Sequence, residues 1–127
     1  MSCWSTGVDL TEVERIQRLI ERYGDRFLKR VFTPLEVAYC QGKKNSAAQS
    51  FAARYAAKEA VFKSTGLGLR TDMRWHDVEV RNDENGRPEL VLTGEVARLL
   101  TGKKAHLSIS HAGNMAIAMV VIDDPAK

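Results

Sequence analysis

Two acidic residues stand where acids are costly. Asp9 interrupts the short apolar segment Gly7-Val8-Asp9-Leu10. Strands disfavour aspartate, and burial disfavours any charge. Glu59 shares a helical face with Ala52, Tyr55, Ala56 and Phe62, and a carboxylate buried there without a partner costs several kcal/mol. Each acid has a structural alternative. Asp9 would cap the helix that follows, with Thr11 close by, and Glu59 would pair with Lys63 at i+4, a contact worth only tenths of a kcal/mol. Carboxylates from two separate elements can also hold one hard cation. Magnesium takes one or two protein carboxylates and completes its octahedron with water and substrate phosphate oxygens. The pair therefore predicts a magnesium site shared with a phosphate-bearing substrate.

Basic groups surround these acids in sequence. Arg54, Lys58 and Lys63 lie on the same predicted helix as Glu59, and Lys43 and Lys44 on the loop before it. Gly66-Leu67-Gly68 allows close backbone approach to a ligand, and serves equally as a helix stop. In the run His106-Leu107-Ser108-Ile109-Ser110-His111, strand alternation puts His106, Ser108 and Ser110 on one face and Leu107, Ile109 and His111 on the other. No Gly-x-Ser-x-Gly elbow surrounds those serines, so covalent catalysis is not expected. His111, at the strand end, is a candidate phosphate contact. Arg15, Arg18 and Arg22 form a basic stripe beside the apolar positions Val13, Ile16, Leu19, Ile20 and Tyr23.

The elements that must position these groups follow from pattern and punctuation. A strand at Gly7–Leu10 leads to a helix over about 12–23, capped by Thr11 and ended near Gly24. A short helical piece spans 27–31, and Thr33-Pro34 starts another helix through Tyr39, with proline at its first position. The Ala-, Lys-, Arg- and Glu-rich stretch from Ala47 to Thr65 is the strongest helix signal. Beyond it the period changes to two. Val78 and Val80 alternate, Asp83-Glu84-Asn85-Gly86 makes a turn, and Leu90 and Leu92 return. A helix over about 95–100 follows, then strands through Leu107 and Ile109 and from Met115 to Ile122, joined at Ala112-Gly113-Asn114. Helices cluster early and antiparallel hairpins late, which predicts an α+β fold with helices packed on an antiparallel sheet.

The 127 residues fit one domain, 1–127. At 44% hydrophobic and 28% charged the composition is that of a globular protein rather than a disordered one. A core this small encloses a large ligand more readily between subunits than alone, which points to oligomerisation. The net charge of +3 suits an acidic protein, a phosphorylated small molecule or a nucleic acid. Cys3 and Cys40 have neither metal-type spacing nor a disulfide framework. No apolar run reaches membrane-span length, and the first residues lack a signal-peptide pattern. These features predict a soluble cytoplasmic protein with no membrane partner.

Longer motifs then converge. Gly7-Val8-Asp9-Leu10-Thr11-Glu12-Val13-Glu14-Arg15-Ile16 resembles the N-terminal signature of the holo-acyl-carrier-protein synthases. Phe51-Ala52-Ala53-Arg54-Tyr55-Ala56-Ala57-Lys58-Glu59-Ala60-Val61-Phe62-Lys63 is similar to their central helix, Asn85-Gly86-Arg87-Pro88 to their hairpin turn, and Leu107-Ser108-Ile109-Ser110-His111 to their penultimate strand. The resemblance runs from residue 7 to residue 122. It implies a 4′-phosphopantetheinyl transferase fold and activity, moving phosphopantetheine from coenzyme A to a serine of apo-acyl carrier protein. By motif, Asp9 and Glu59 are implied magnesium ligands. Lys63 is implied to bind the diphosphate, and Arg54 and His111 the nucleotide part of coenzyme A, with Gly66 at the close backbone approach. A homotrimer with active sites at subunit interfaces is also implied.

The chemistry fits the residue types. Magnesium and Lys63 would neutralise the diphosphate, and Glu59, directly or through a water, is the candidate base for the serine proton, with another acid as the alternative. Arg15, Arg18 and Arg22 would then orient the acidic carrier. After His111, Ala112-Gly113-Asn114-Met115 departs from the Thr-containing, Tyr-ending turn of that family. Two other readings use the same residues: a nucleic-acid-binding module and a non-catalytic binder of acyl carrier protein. The mild net charge and the lack of an aromatic stacking platform argue against the first, so no nucleic-acid partner is expected.

Overall fold

The strand predicted at Gly7–Leu10 is the middle of a longer one. In the computed structural model, which describes residues 2–126, β1 runs Ser2–Glu12. It is followed by helices α1 (Val13–Tyr23), α2 (Asp25–Val31), α3 (Pro34–Gln41) and α4 (Ala47–Ser64), then strands β2 (Val78–Asn82) and β3 (Pro88–Leu92), helix α5 (Gly94–Leu99), and strands β4 (Lys104–Ala112) and β5 (Met115–Asp124). The first strand pairs with the last: the order β1-β5-β4 forms a three-stranded antiparallel sheet, and β2-β3 a separate hairpin. The α+β class with helices on an antiparallel sheet is what the sequence predicts. Among the described residues, no helix is long and apolar enough to cross a membrane.

α4 is the axis of the molecule. From Phe51 to Phe62 every residue is buried except Glu59, which is partly so. One side of the helix packs Ala56, Ala57 and Ala60 on the inward residues of β5, Ala118, Val120 and Ile122. Another side meets Ile16 from α1, Phe27 from α2 and Phe32, which directly follows α2, through Phe51 and Tyr55. Small residues let β1 cross α4 in contact: a Cβ on Gly7 would lie 2.0 Å from the Ala60 carbonyl oxygen. Only glycine fits there, and that approach delivers Asp9, two residues along the same strand face, to the last turns of α4.

Thr11 does not cap α1. It is buried in β1, and its hydroxyl donates to Asp9 Oδ2 at 2.8 Å. Asp9 is not a cap either, and the helix begins behind Glu12, which provides no side-chain cap. A buried position on the sheet's inner face outweighs the local capping preference of threonine. At α3 the local signal holds: Thr33 and Glu36 form a reciprocal capping box behind Pro34. The opposite, outward face of the three-stranded sheet is apolar and exposed, with Val8 at 53%, Leu10 at 61% and Met119 at 50%.

Candidate functional site

β1 and α4 bring the predicted acids together. Lys63 Nζ lies 3.0 Å from Asp9 Oδ1 and donates also to the Val8 carbonyl at 3.2 Å. The lysine is 53% exposed and the aspartate 14%. Lys63 therefore pairs with Asp9 rather than with Glu59, so the i+4 alternative gives way to a contact between elements. Glu59 stands beside them without a full partner. Burial pushes its carboxyl above the usual range, the Asp9 charge adds to that, and Lys63, the Tyr55 hydroxyl and Arg15 pull it part of the way back. Tyr55 belongs to the same group: burial, then the charge of Glu59, raises its phenol, while Arg15 opposes the rise. The Arg15 guanidinium sits 5.6 Å from the Tyr55 ring centroid.

This is a pair of mutually repelling carboxylates facing one half-exposed lysine. Among the described residues no three potential metal ligands gather, so a cation here would have two hard oxygen donors from the protein and would take the rest from water or substrate. That donor set fits magnesium better than zinc or iron, which favour nitrogen or sulfur.

Lys58 is not part of this basic surroundings. Its side chain is wholly buried, and Nζ lies 2.8 Å from Glu36 Oε1, whose side chain is equally buried. The same ammonium donates to the Trp75 and Val78 carbonyls. All three of its protons are used. Glu36 in turn accepts from the Thr33 amide at 2.9 Å and the Val80 amide at 2.8 Å. The pair ties α3, α4 and β2 together. Burial holds the Lys58 ammonium below its ordinary value, with Glu36 opposing.

Arg54 and His111 meet elsewhere, in a cleft of about 300 Å³ shared with Tyr39, Lys43, Gln49 and Asn82. Arg54 donates to Asn82 Oδ1 at 2.7 Å and to Ser50 Oγ at 3.3 Å, and its guanidinium lies 4.2 Å from the Tyr39 ring centroid. Its Nε is buried without a partner. His111 Nδ1 is 3.1 Å from Gln49 Nε2. Gly66 lies apart from this cleft, beyond the end of α4, with φ of 81° and open space where a side chain would be. On α1, Arg15, Arg18 and Arg22 are all exposed. Arg18 reaches Glu14 at 3.7 Å, and Arg22 lies over the Tyr23 ring.

Sequence reasoning missed Tyr39, Gln49 and Asn82 as cleft residues and Glu36 as a buried acid. The capping box was the one available signal for Glu36, and it explains only one of its two oxygens. Tyr55 was read as an apolar neighbour of Glu59, without its place between Arg15 and the carboxylates.

Comparisons with known proteins identify the family. The model of the 4′-phosphopantetheinyl transferase superfamily matches residues 5–120. The holo-acyl-carrier-protein synthase of Koribacter versatilis is 49% identical over 122 residues, 94% of this chain and 97% of that protein. That of Geobacter sulfurreducens is 46% identical over 125 residues, 96% of this chain and 98% of that protein. Among solved structures, Helicobacter pylori holo-acyl-carrier-protein synthase in complex with coenzyme A matches with a TM-score of 0.83 at 28% identity, covering 93% of this chain and 99% of that one. The Bacillus anthracis enzyme in complex with CoA (3′,5′-ADP) matches with a TM-score of 0.80 at 36% identity, covering 94% and 96%. The chain belongs to the 4′-phosphopantetheinyl transferase superfamily and, within it, to the holo-acyl-carrier-protein synthases.

Proposed function

We propose that the chain transfers the 4′-phosphopantetheine group of coenzyme A to a serine of an apo-acyl carrier protein, with magnesium held by Asp9 and Glu59. The serine oxygen forms a bond to the phosphorus that carries the pantetheine arm. The diphosphate bond on the other side of that phosphorus breaks, and adenosine 3′,5′-bisphosphate leaves. The observation that carries this reading is the meeting of Asp9, Lys63 and Glu59 from two elements, on a chain whose relatives are named as holo-acyl-carrier-protein synthases.

When bound, magnesium would neutralise diphosphate oxygens and the charge that develops on the leaving phosphate. The chain's own residues do the rest. Lys63 is exposed enough to reach a diphosphate while staying anchored near Asp9. Glu59, with its carboxyl raised by burial, is the candidate acceptor of the serine proton. Arg54 and His111 in their cleft bind the nucleotide phosphates. Arg15, Arg18 and Arg22 draw in and orient the acidic carrier.

Two observations support a homotrimer with shared sites. Along α4, Arg54 and Lys63 are separated by about 13 Å of helix rise and, at 3.6 residues per turn, lie on opposite sides of it. One coenzyme molecule then reaches a nucleotide cleft and a carboxylate pair more easily on two neighbouring chains. The exposed apolar sheet face around Val8, Leu10 and Met119 offers the surface for such assembly.

The test is to incubate the protein with apo-acyl carrier protein, coenzyme A and magnesium chloride, and to weigh the carrier. A gain of one phosphopantetheine, absent when EDTA replaces magnesium, is expected. An unchanged carrier, or the same gain in EDTA, contradicts the reading. Light scattering of the purified protein at the mass of three chains is expected alongside.

A further inference from the structure

The first turn of α1 takes its cap from the far end of the chain. The Val13 amide donates to the Asn114 carbonyl at 2.8 Å, and the Glu14 amide donates to Asn114 Oδ1 at 3.0 Å. A helix leaves its first amides without partners inside the helix, and a nearby side chain normally takes one of them. Here the flanking residues do not, because Glu12 makes no side-chain cap and Thr11 is turned to Asp9.

Asn114 is held in place by its own hairpin. Ala112 pairs with Met115 across a two-residue connection, and Gly113 takes φ of 57°, as the first position of a tight hairpin turn requires. β1 pairs with β5 up to Glu12 opposite Met115, so the ladder runs directly into the clamp on Val13. On one side of this turn His111, next to last in β4, stands beside Gln49 in the cleft assigned to the nucleotide. On the other side Arg15 directly follows Glu14 and lies over Tyr55.

We propose that Asn114 is a positioning residue for carrier docking: by clamping the first turn of α1 to the β4–β5 hairpin, it fixes Arg15 against Tyr55 beside the catalytic carboxylates. This rests on the transferase reading above. Within α1 only Ile16 is fully buried, with Val13, Leu19 and Ile20 partly buried against the core, so the polar hold on the first turn comes from Asn114. A helix of eleven residues is marginal without tertiary support. With Oδ1 removed, the Glu14 amide opens to water, the first turn frays, and the neighbouring Arg15 loses its fixed place. Arg18 and Arg22 lie beyond Ile16 and keep theirs.

The test compares Asn114→Ala with Asn114→Asp, which keeps an acceptor oxygen and adds a charge that suits a helix start. In Asn114→Ala the KM for apo-carrier rises about fivefold, the factor that loss of such a cap carries. The kcat and the KM for coenzyme A stay within about twofold of wild type. Amide exchange at Glu14, followed by NMR, quickens by the same factor, and Asn114→Asp restores both. An unchanged carrier KM in the alanine variant overturns the proposal. So does a parallel rise in both KM values, or an aspartate variant that behaves like alanine. Wild type provides a check independent of any variant: the Glu14 amide must exchange more slowly than in an unstructured peptide, and fast exchange overturns the clamp. A wild-type protein that leaves the carrier unmodified sinks the transferase reading and the docking proposal with it. That failure is recognised by Glu14 exchange that stays slow.

Discussion

α4 carries two lysines five positions apart, and each meets a carboxylate from another element. Lys58 and Glu36 are sealed from solvent, and every proton of the lysine has an acceptor. Lys63 and Asp9 lie at the surface, and a second carboxylate, Glu59, crowds them with no full partner. The residue types are the same and the physics is opposite. In the first pair removal of either charge strands the other, and no polar capacity is left over for a ligand. In the second group two partly buried carboxylates share one close, half-exposed lysine, with Arg15 as the weaker second cation. A saturated ion pair fastens elements together, whereas an unbalanced one at the surface asks for a cation and a substrate.

The largest effect that tests this contrast is on activity. Asp9→Ala should lower magnesium-dependent transfer by at least about a hundredfold. Its melting temperature should fall only modestly, because Lys63 is half-exposed and Glu59 is relieved of repulsion, while the buried Thr11 hydroxyl loses its acceptor. Retained transfer would remove Asp9 from the metal site. Next comes stability. Lys58→Met should destabilise the fold by about 3–5 kcal/mol in urea unfolding, since it leaves Glu36 buried without its cation. Adding Glu36→Gln should recover part of that loss, because glutamine keeps an acceptor for the α3 or β2 amide. A Lys58→Met chain as stable as wild type would erase the distinction between the two pairs.

Smaller effects sharpen the exposed half. Arg15→Glu should raise the KM for the carrier about tenfold and that for coenzyme A less than about twofold, through reversed attraction at the docking face. The opposite split would move Arg15 into the nucleotide site. The carboxyl of Glu59 is raised in the fold, so without a cation its ionised form is the disfavoured one. The metal-free protein should therefore gain stability from this group as pH falls through the raised folded value toward the usual 4.5. Asp9→Asn should lower the Glu59 titration midpoint, followed by carboxyl NMR in EDTA. An unmoved midpoint would mean that the two carboxylates do not feel one another.

Much of this was legible in the sequence, and the omissions have physical causes. The α4 helix, the β2–β3 turn and the Thr33-Pro34 start were readable because their signals are local. The full length of β1 was not. A bulge falls between Cys3 and Ser5, which breaks the alternation, and the partner strand lies at the other end of the chain. Nothing local told Lys58 from Lys63. α4 is buried almost all round, so no polar face marks which lysine is inside, and the carboxylate that decides it sits on α3. Asp9 and Glu59 were visible as acids in apolar places, and their motifs suggested a shared cation. That Lys63 pairs with Asp9 was not visible, because a pairing 54 positions apart leaves no periodicity. The Asn114 clamp, 100 positions from Glu14, was beyond reach for the same reason.

The central claim is that the unbalanced carboxylates do chemistry rather than hold the fold, and Glu59→Gln tests it most directly. This change removes one charge with almost no change of shape. The rate of phosphopantetheine transfer at saturating coenzyme A, carrier and magnesium should fall by at least about a hundredfold, while the melting temperature of the metal-free protein stays level or rises because the repulsion from Asp9 is gone. A variant that transfers at the wild-type rate, or one that loses activity only by unfolding, would contradict the account.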